Sequence, residues 1–369
     1  MTTPAPQQIP ELQLVRGGAA LMVTIYHAII VPVWITRQMG IAALHPDLSV
    51  AEVGAYGVDA FFVLSGFLMV YITGRRGGND GTPARFLTQR LVRVWPMYAL
   101  ATALTCVPMI YLATRGIWSY DLSVYRLLSL AFIPTYNEAG LVQPIVNVGW
   151  TLNYEIMFYL CFACVMRLRG WPLLGALTAM LGALFGMGLL LPPGVWRDFL
   201  THTMMFEFLL GVALGIARQA GVRLFPWTLI VLPLLLVPGA PRWIAIGGCA
   251  LALLSWLVER RPGTARVRWL AVLGDASYSL YLLHLLIIQR VAGRTVRAMA
   301  ANGSGEYAVI AAAILAVVCS VVAALICYRW VERPLTRALH RRVRAWQHRD
   351  TEASEPDAAA TLPAAQHLR

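Results

Sequence analysis

Apolar runs of about eighteen residues or more recur along the chain, separated by short polar or arginine-rich stretches. Wound as an α-helix, a run of that length matches the ~30 Å hydrocarbon core of a bilayer, and soluble cores rarely sustain it. About ten are read, over 14–35, 55–73, 92–113, 148–166, 172–191, 200–217, 225–240, 242–258, 270–289 and 306–328. The seventh and eighth are divided only by Pro238, Gly239, Ala240 and Pro241, a sequence that breaks helix on both sides. The pattern therefore predicts an all-α fold, a polytopic transmembrane helix bundle. Residues 14–340 form one membrane-embedded domain. A polar segment, 1–13, precedes it, and a tail, 341–369, rich in Ala, Glu, Asp and Gln, reads as disordered. The first thirteen residues lack a basic n-region and a following cleavage pattern, so no signal peptide is read. The stretch 114–147 carries an apolar piece at 124–134, which either lies in the interface or re-enters the membrane. No internal repeat of the transporter kind is evident.

Composition agrees with this picture: 59% of residues are hydrophobic and only 13% charged, with a mean hydropathy of +0.64. The formal net charge of +12 comes from arginine alone, since the chain has no lysine. In a soluble protein such a balance would suggest nucleic acid. Here the arginines gather in short inter-span stretches, the mark of a cytoplasmic membrane face. Arg75, Arg76, Arg85 and Arg90 form one group, Arg260, Arg261, Arg266 and Arg268 another, and Arg329 to Arg344 a third. All fall on one side when ten spans are threaded from a cytoplasmic N-terminus, which predicts both termini cytoplasmic and no nucleic-acid partner. Arg290, Arg294 and Arg297 are the one cluster on the opposite side. The six cysteines all lie in predicted spans; Cys161 and Cys164 form a CxxC without a second pair, so they read as small apolar fillers and no metal site is read.

Ionisable groups inside spans cost about 2.5–3.5 kcal/mol each by insertion scales and so invite a functional reading. Counting ~1.5 Å per residue from the nearest cytoplasmic arginine places His27 ~16 Å deep, Glu155 ~18 Å and Glu207 ~16 Å. Three groups from three spans thus share one level near the bilayer midplane. Either each is a satisfied polar residue holding helices together, or they form an active centre in which a carboxylate orients His27 as a base. Asp59 counts nearer the outer surface, where it orients a substrate or caps a helix. Arg90 and Arg93, three apart, share a helical face at the cytoplasmic end of the third span, and Arg16 stands at the same interface. Guanidinium groups so placed suit phosphate, or simply anchor the spans. His284 counts ~24 Å from Arg268 and is the rival base, or hydrogen-bonds within the bundle.

These residues sit in segments that together resemble the acyltransferase-3 family of integral membrane acyltransferases. The matching pieces are LQLVRGGAALMVTIYHA from Leu12, GVDAFFVLSGFLM at 57–69, RFLTQRLVRVWPMY at 85–98, GWTLNYEIMFYL at 149–160, FEFLLGVALG at 206–215, LGDASYSLYLLHLLI at 273–287 and YRWVERPLTR at 328–337. The resemblance implies that His27 is the catalytic histidine and that Arg16, Arg90 and Arg93 serve acyl-CoA binding or acyl transfer. It places Glu155 at the family's glutamate, with Thr151 where serine is commoner. The wording looks closest to the polysaccharide-acetylating branch. It implies an O-acetyltransferase of the bacterial inner membrane, with acetyl-CoA or another acyl-CoA as donor and a polysaccharide or lipid-linked sugar as acceptor. Asp59, Ser65, Trp150, Asn153 and Glu207 are expected on the substrate, with Tyr154 among the possible hydrogen-bond donors. The competing reading is a proton-coupled transporter or flippase of a lipid-linked sugar, whose midplane groups would relay protons.

Overall fold

The computed structural model describes residues 10–74, 82–116, 127–260 and 268–353. Arg75, Arg76, Arg261 and Arg266, the first residues of the apolar piece at 124–134, and the two chain ends lie outside them. Among the described residues the chain is helical, with one isolated bridge, Tyr136 to Val142, and no strand. In hydrocarbon only a helix satisfies every backbone group within one segment, which is why so apolar a chain folds this way.

Helix α1 spans Pro10–Gln38. Proline at its first position loses no useful hydrogen bond, and Gly40 at φ 65° ends it, with Ile41 N–H on Thr36 O and Gly40 N–H on Arg37 O. Then come α2 (Leu48–Glu52), α3 (Gly57–Gly74), α4 (Pro83–Thr114), α5 (Trp150–Val165), α6 (Trp171–Leu190), α7 (Val195–Leu200) and α8 (Glu207–Gln219). The remaining helices are α9 (Arg242–Glu259), α10 (Arg268–Asp275), α11 (Ser277–Ala301), α12 (Ala308–Cys327) and α13 (Arg333–Ala353). Helix α13 runs on into the stretch expected to be tail.

Among the described residues, eight helices are long and apolar enough to cross a bilayer, or nine when the bent pair α10 and α11 counts as one span. Two of the ten expected spans therefore differ. The seventh is a 3-10 helix, Trp227–Leu236, because Pro226, Pro233 and the Pro238 to Pro241 turn deny it a longer α-helix. The ninth is broken at Ala276, where α10 meets α11 at 81°. The apolar piece ahead of α5 is described from Leu127 onward. Its 3-10 turn Leu128–Ala131 is pinned to α4 by Trp95 Nε1 donating to Leu130 O (3.1 Å), and Phe132 stacks on Tyr98.

Lipid gives helices no hydrophobic reason to associate, so close packing of small residues does that work. Helices α3 and α8 interlock reciprocally. A Cβ on Gly66 would overlap the Phe208 carbonyl, and one on Gly211 would overlap the Val63 carbonyl. The same device joins α1 to α10, with Gly17 against Leu270 and Gly274 against Gln13. Phe208 then stacks between Phe62 (4.6 Å) and Phe158 (4.4 Å), tying α3, α8 and α5 into one core. Helices α1 and α11 run side by side in the same direction. Ala20 clusters with Leu280 at one end, and Val31 and Ile35 with Ala292 and Val296 at the other.

Candidate active site

Two cavities open along this pair of helices. The first, of about 100 Å3, is lined by Arg16 from α1, Ser65 from α3, Arg90 and Arg93 from α4, and Glu155 and Tyr159 from α5, with Tyr278 and Tyr281 from α11. Arg90 is buried between the rings of Phe86 (5.7 Å) and Tyr159 (6.0 Å), an arrangement that holds its guanidinium plane in place. Tyr159 donates to Glu155 Oε1, and Ser65 Oγ donates to the same oxygen at 3.4 Å. Three arginines and one carboxylate leave an excess of positive charge in a largely apolar chamber, the setting in which bidentate phosphate or thioester recognition is strongest.

The second cavity is far wider, about 1170 Å3, and is lined by His27, Trp34, Trp150, His202, Gln289, Arg242 and Arg297 among others. His27 faces His284, with His27 Nδ1 3.2 Å from His284 Nε2. His284 is fully buried, and its Nδ1 lies 3.0 Å from Leu280 O. A carbonyl only accepts, so His284 Nδ1 carries a proton and, in the neutral ring, Nε2 is bare. That nitrogen accepts from His27 Nδ1, which also donates to Val23 O at 2.9 Å. The tautomers assigned from these partners leave Nε2 of His27 with the free lone pair, and no described side chain occupies it. A base oriented in this way needs no carboxylate beside it.

The depth count is silent about direction. His27, Glu155 and Glu207 do not form one centre. Glu155 belongs to the arginine pocket. Glu207 is fully buried against Asp59. Asp59 in turn accepts from Arg242 Nε (3.1 Å) and from a terminal guanidinium nitrogen (2.7 Å). The Arg242 cation compensates the buried Asp59 carboxylate, against which Glu207 lies. Neither carboxylate touches His27. Trp150 lines the histidine cavity and packs near His202, with ring centres 5.7 Å apart. Asn153 is buried with no partner to its amide and lines neither cavity. Tyr154 is committed to Phe199 O at 2.9 Å.

Val58 and Tyr281 line both cavities and so form the wall between them. The Tyr281 hydroxyl donates to Val148 O (2.8 Å) and meets Thr151 Oγ at 2.8 Å. Three residues that the sequence did not single out take part in these arrangements: Tyr281, Arg242 and Glu332. The π-helical turn Tyr328–Glu332 carries Glu332 to the start of α11, where its Oε2 accepts from Ser279 Oγ (2.5 Å) and Ser279 N–H (3.2 Å). That contact fixes the break behind Ser277 and Tyr278, both on the arginine pocket. An arginine opening a helix right after Pro241 was the one available sign of Arg242.

A multi-pass helical membrane protein with an arginine pocket backed onto an oriented histidine pair is the class that fold and site define. The chain belongs to the acyltransferase-3 family of integral membrane acyltransferases, whose acyltransferase-domain model matches residues 9–329. It is 34% identical over 302 residues, 77% of this chain and 90% of the relative, to the exopolysaccharide production protein ExoZ of Rhizobium meliloti (strain 1021). It is 24% identical over 382 residues, 92% of this chain and 94% of the relative, to the acyltransferase MdmB of Streptomyces mycarofaciens. A third relative, protein 2 in the picA locus of Rhizobium radiobacter, is 30% identical over 177 residues, 44% of this chain and 85% of the relative. No solved structure matches the chain significantly.

Proposed function

We propose that this acyltransferase is an O-acetyltransferase of the bacterial inner membrane that moves an acetyl group from cytoplasmic acetyl-CoA to a hydroxyl of a cell-envelope or exported polysaccharide. The similarity to a protein named for exopolysaccharide production supports the acceptor class. The observation that carries the mechanism is the histidine pair, directed by two backbone carbonyls and sharing the Tyr281 wall with the arginine pocket.

With the arginine pocket on the cytoplasmic side and both termini there, Arg16, Arg90 and Arg93 hold the CoA phosphates. A chamber of about 100 Å3 takes a narrow pantetheine arm and leaves the nucleotide at its mouth. The arm brings the thioester toward Tyr281. On the other side, Nε2 of His27 takes the proton of an acceptor hydroxyl, and that oxygen attacks the thioester carbonyl. The carbon–sulfur bond breaks, and the CoA thiolate leaves with the proton returned from His27. His284 stabilises the imidazolium by accepting, at its Nε2, the hydrogen bond from His27 Nδ1–H.

The test is transfer of label from acetyl-CoA to envelope glycans in membranes carrying the wild type or His27→Ala, with expression and insertion matched. Labelled glycan that vanishes in the variant is the expected result. Equal labelling in both removes His27 as base. A proton-coupled glycan flux without consumption of acetyl-CoA would replace the enzyme reading with the transporter one.

A further inference from the structure

Arg290, Arg294 and Arg297 stand apart from the other arginine clusters, at the end of α11 opposite the arginine pocket. Spacings of four and three put them on one helical face. All three are exposed, and none makes a hydrogen bond or ion pair among the described residues. Favourable interaction with a helix dipole reaches only the last turn, so it does not account for Arg290 or Arg294 in a helix ending at Ala301.

The wide cavity gives Arg297 a use. Arg297 lines it together with Arg242, whose side chain remains 42% exposed while Asp59 holds its guanidinium. No Asp or Glu is among the residues that line this cavity. Its walls instead carry the rings of Tyr26, Trp34 and Trp150 and the amides of Gln143, Asn147 and Gln289. Flat rings and amides suit a sugar. Arg297, with no carboxylate partner among the described residues, suits a sugar that carries negative charge, because an uncompensated cation gains most from an anion in a partly enclosed cavity.

We propose that the far half of the His27 cavity is an anion subsite, in which Arg297 and the open edge of Arg242 bind an oxyanion carried by the acceptor, a sugar carboxylate or a phosphate. The proposal deepens the acetyltransferase reading and rests on it for the word acceptor. Binding, however, is measurable without turnover.

The experiment is calorimetric titration of the purified full-length protein in phosphatidylcholine nanodiscs with three probes: a glucuronate-containing tetrasaccharide, its carboxyl-reduced neutral counterpart, and geranyl phosphate. At least one anionic probe is expected to bind about tenfold more tightly than the neutral sugar, equal to about 1.4 kcal/mol. Whichever binds identifies carboxylate or phosphate as the source. Arg297→Gln, at an exposed position, reduces the preference without endangering the fold, whereas Arg290→Gln, at an arginine that does not line the cavity, leaves it unchanged. Equal binding of charged and neutral probes, or no binding of either anion, overturns the subsite. His27→Ala keeps the charge preference, so failure of acetyl transfer and failure of the subsite are read separately.

Discussion

The arginine pocket and the histidine cavity lie on either side of one tyrosine, yet differ about tenfold in volume, 100 against 1170 Å3. They differ also in how charge is treated. In the narrow chamber Glu155 sits among Arg16, Arg90 and Arg93, and the rings of Phe86 and Tyr159 brace Arg90. In the wide one Arg242 and Arg297 face the opening with no carboxylate on the lining. A braced, partly compensated pocket holds one invariant ligand in one pose. An open one, in which Arg297 has no carboxylate partner among the described residues, admits a bulky hydrated ligand and reads its charge. The contrast supports the proposed division of donor and acceptor between the two sides.

His27→Ala should break the comparison most severely, lowering transfer by roughly 10²–10⁴-fold, the usual contribution of a general base. Residual transfer rates in matched membranes measure it, and activity within a few-fold of wild type would remove the base from this cavity. Arg93→Ala should act on the donor side alone, raising the KM for acetyl-CoA about tenfold, the order expected when one charge-assisted hydrogen bond of about 1.5–3 kcal/mol is lost. An equal change in the KM for acceptor would show that the two cavities are not separate sites.

Tyr281→Phe tests the wall itself. Losing the hydroxyl removes bonds to Val148 and Thr151 worth about 1 kcal/mol each, and a looser wall should let water reach the thioester. Acetyl-CoA hydrolysis without acceptor is then expected to rise several-fold, read as free thiol. An unchanged ratio of hydrolysis to transfer would mean that Tyr281 separates nothing. Gly66→Ala should have the smallest effect on chemistry and a plain one on folding. The added methyl meets the Phe208 carbonyl, and overpacking of this kind costs about 1–3 kcal/mol. A lowered melting temperature in detergent, with KM values unchanged, is the expected pairing.

Much of this was legible in the chain because apolar length is read directly against bilayer thickness. Arg90 and Arg93 could be placed on one face from their spacing, and the structure indeed brings them together with Arg16 and Glu155. Azimuth was not legible. Counting residues gives how deep Glu207 lies and says nothing about whether it faces His27 or Asp59. His284 was misplaced for a different reason. The count from Arg268 assumes one straight helix, whereas α10 turns 81° before α11 begins, and the residues before the break contribute little depth. Counted from Ser277, His284 is ~10 Å along its helix, the level at which it meets His27. The break itself depends on Glu332, some fifty residues downstream, and no local pattern announces a contact at that range.

The 3-10 helix Trp227–Leu236 carries a consequence for the lipid around it. At ~2.0 Å per residue its ten residues rise only ~20 Å, against ~30 Å of hydrocarbon. Trp227, Ile230 and Leu236 stay largely uncovered, so acyl chains rather than protein meet them. The helix packs beside α9, whose first residue is Arg242. A bilayer that matches the short element must pinch there, at a fraction of a kcal/mol per Å, and draw headgroups and their water toward the rim where Arg242 stands. The protein is therefore expected to melt higher in shorter-chain phosphatidylcholines, and the thinned sector gives a large polar sugar a lateral way in.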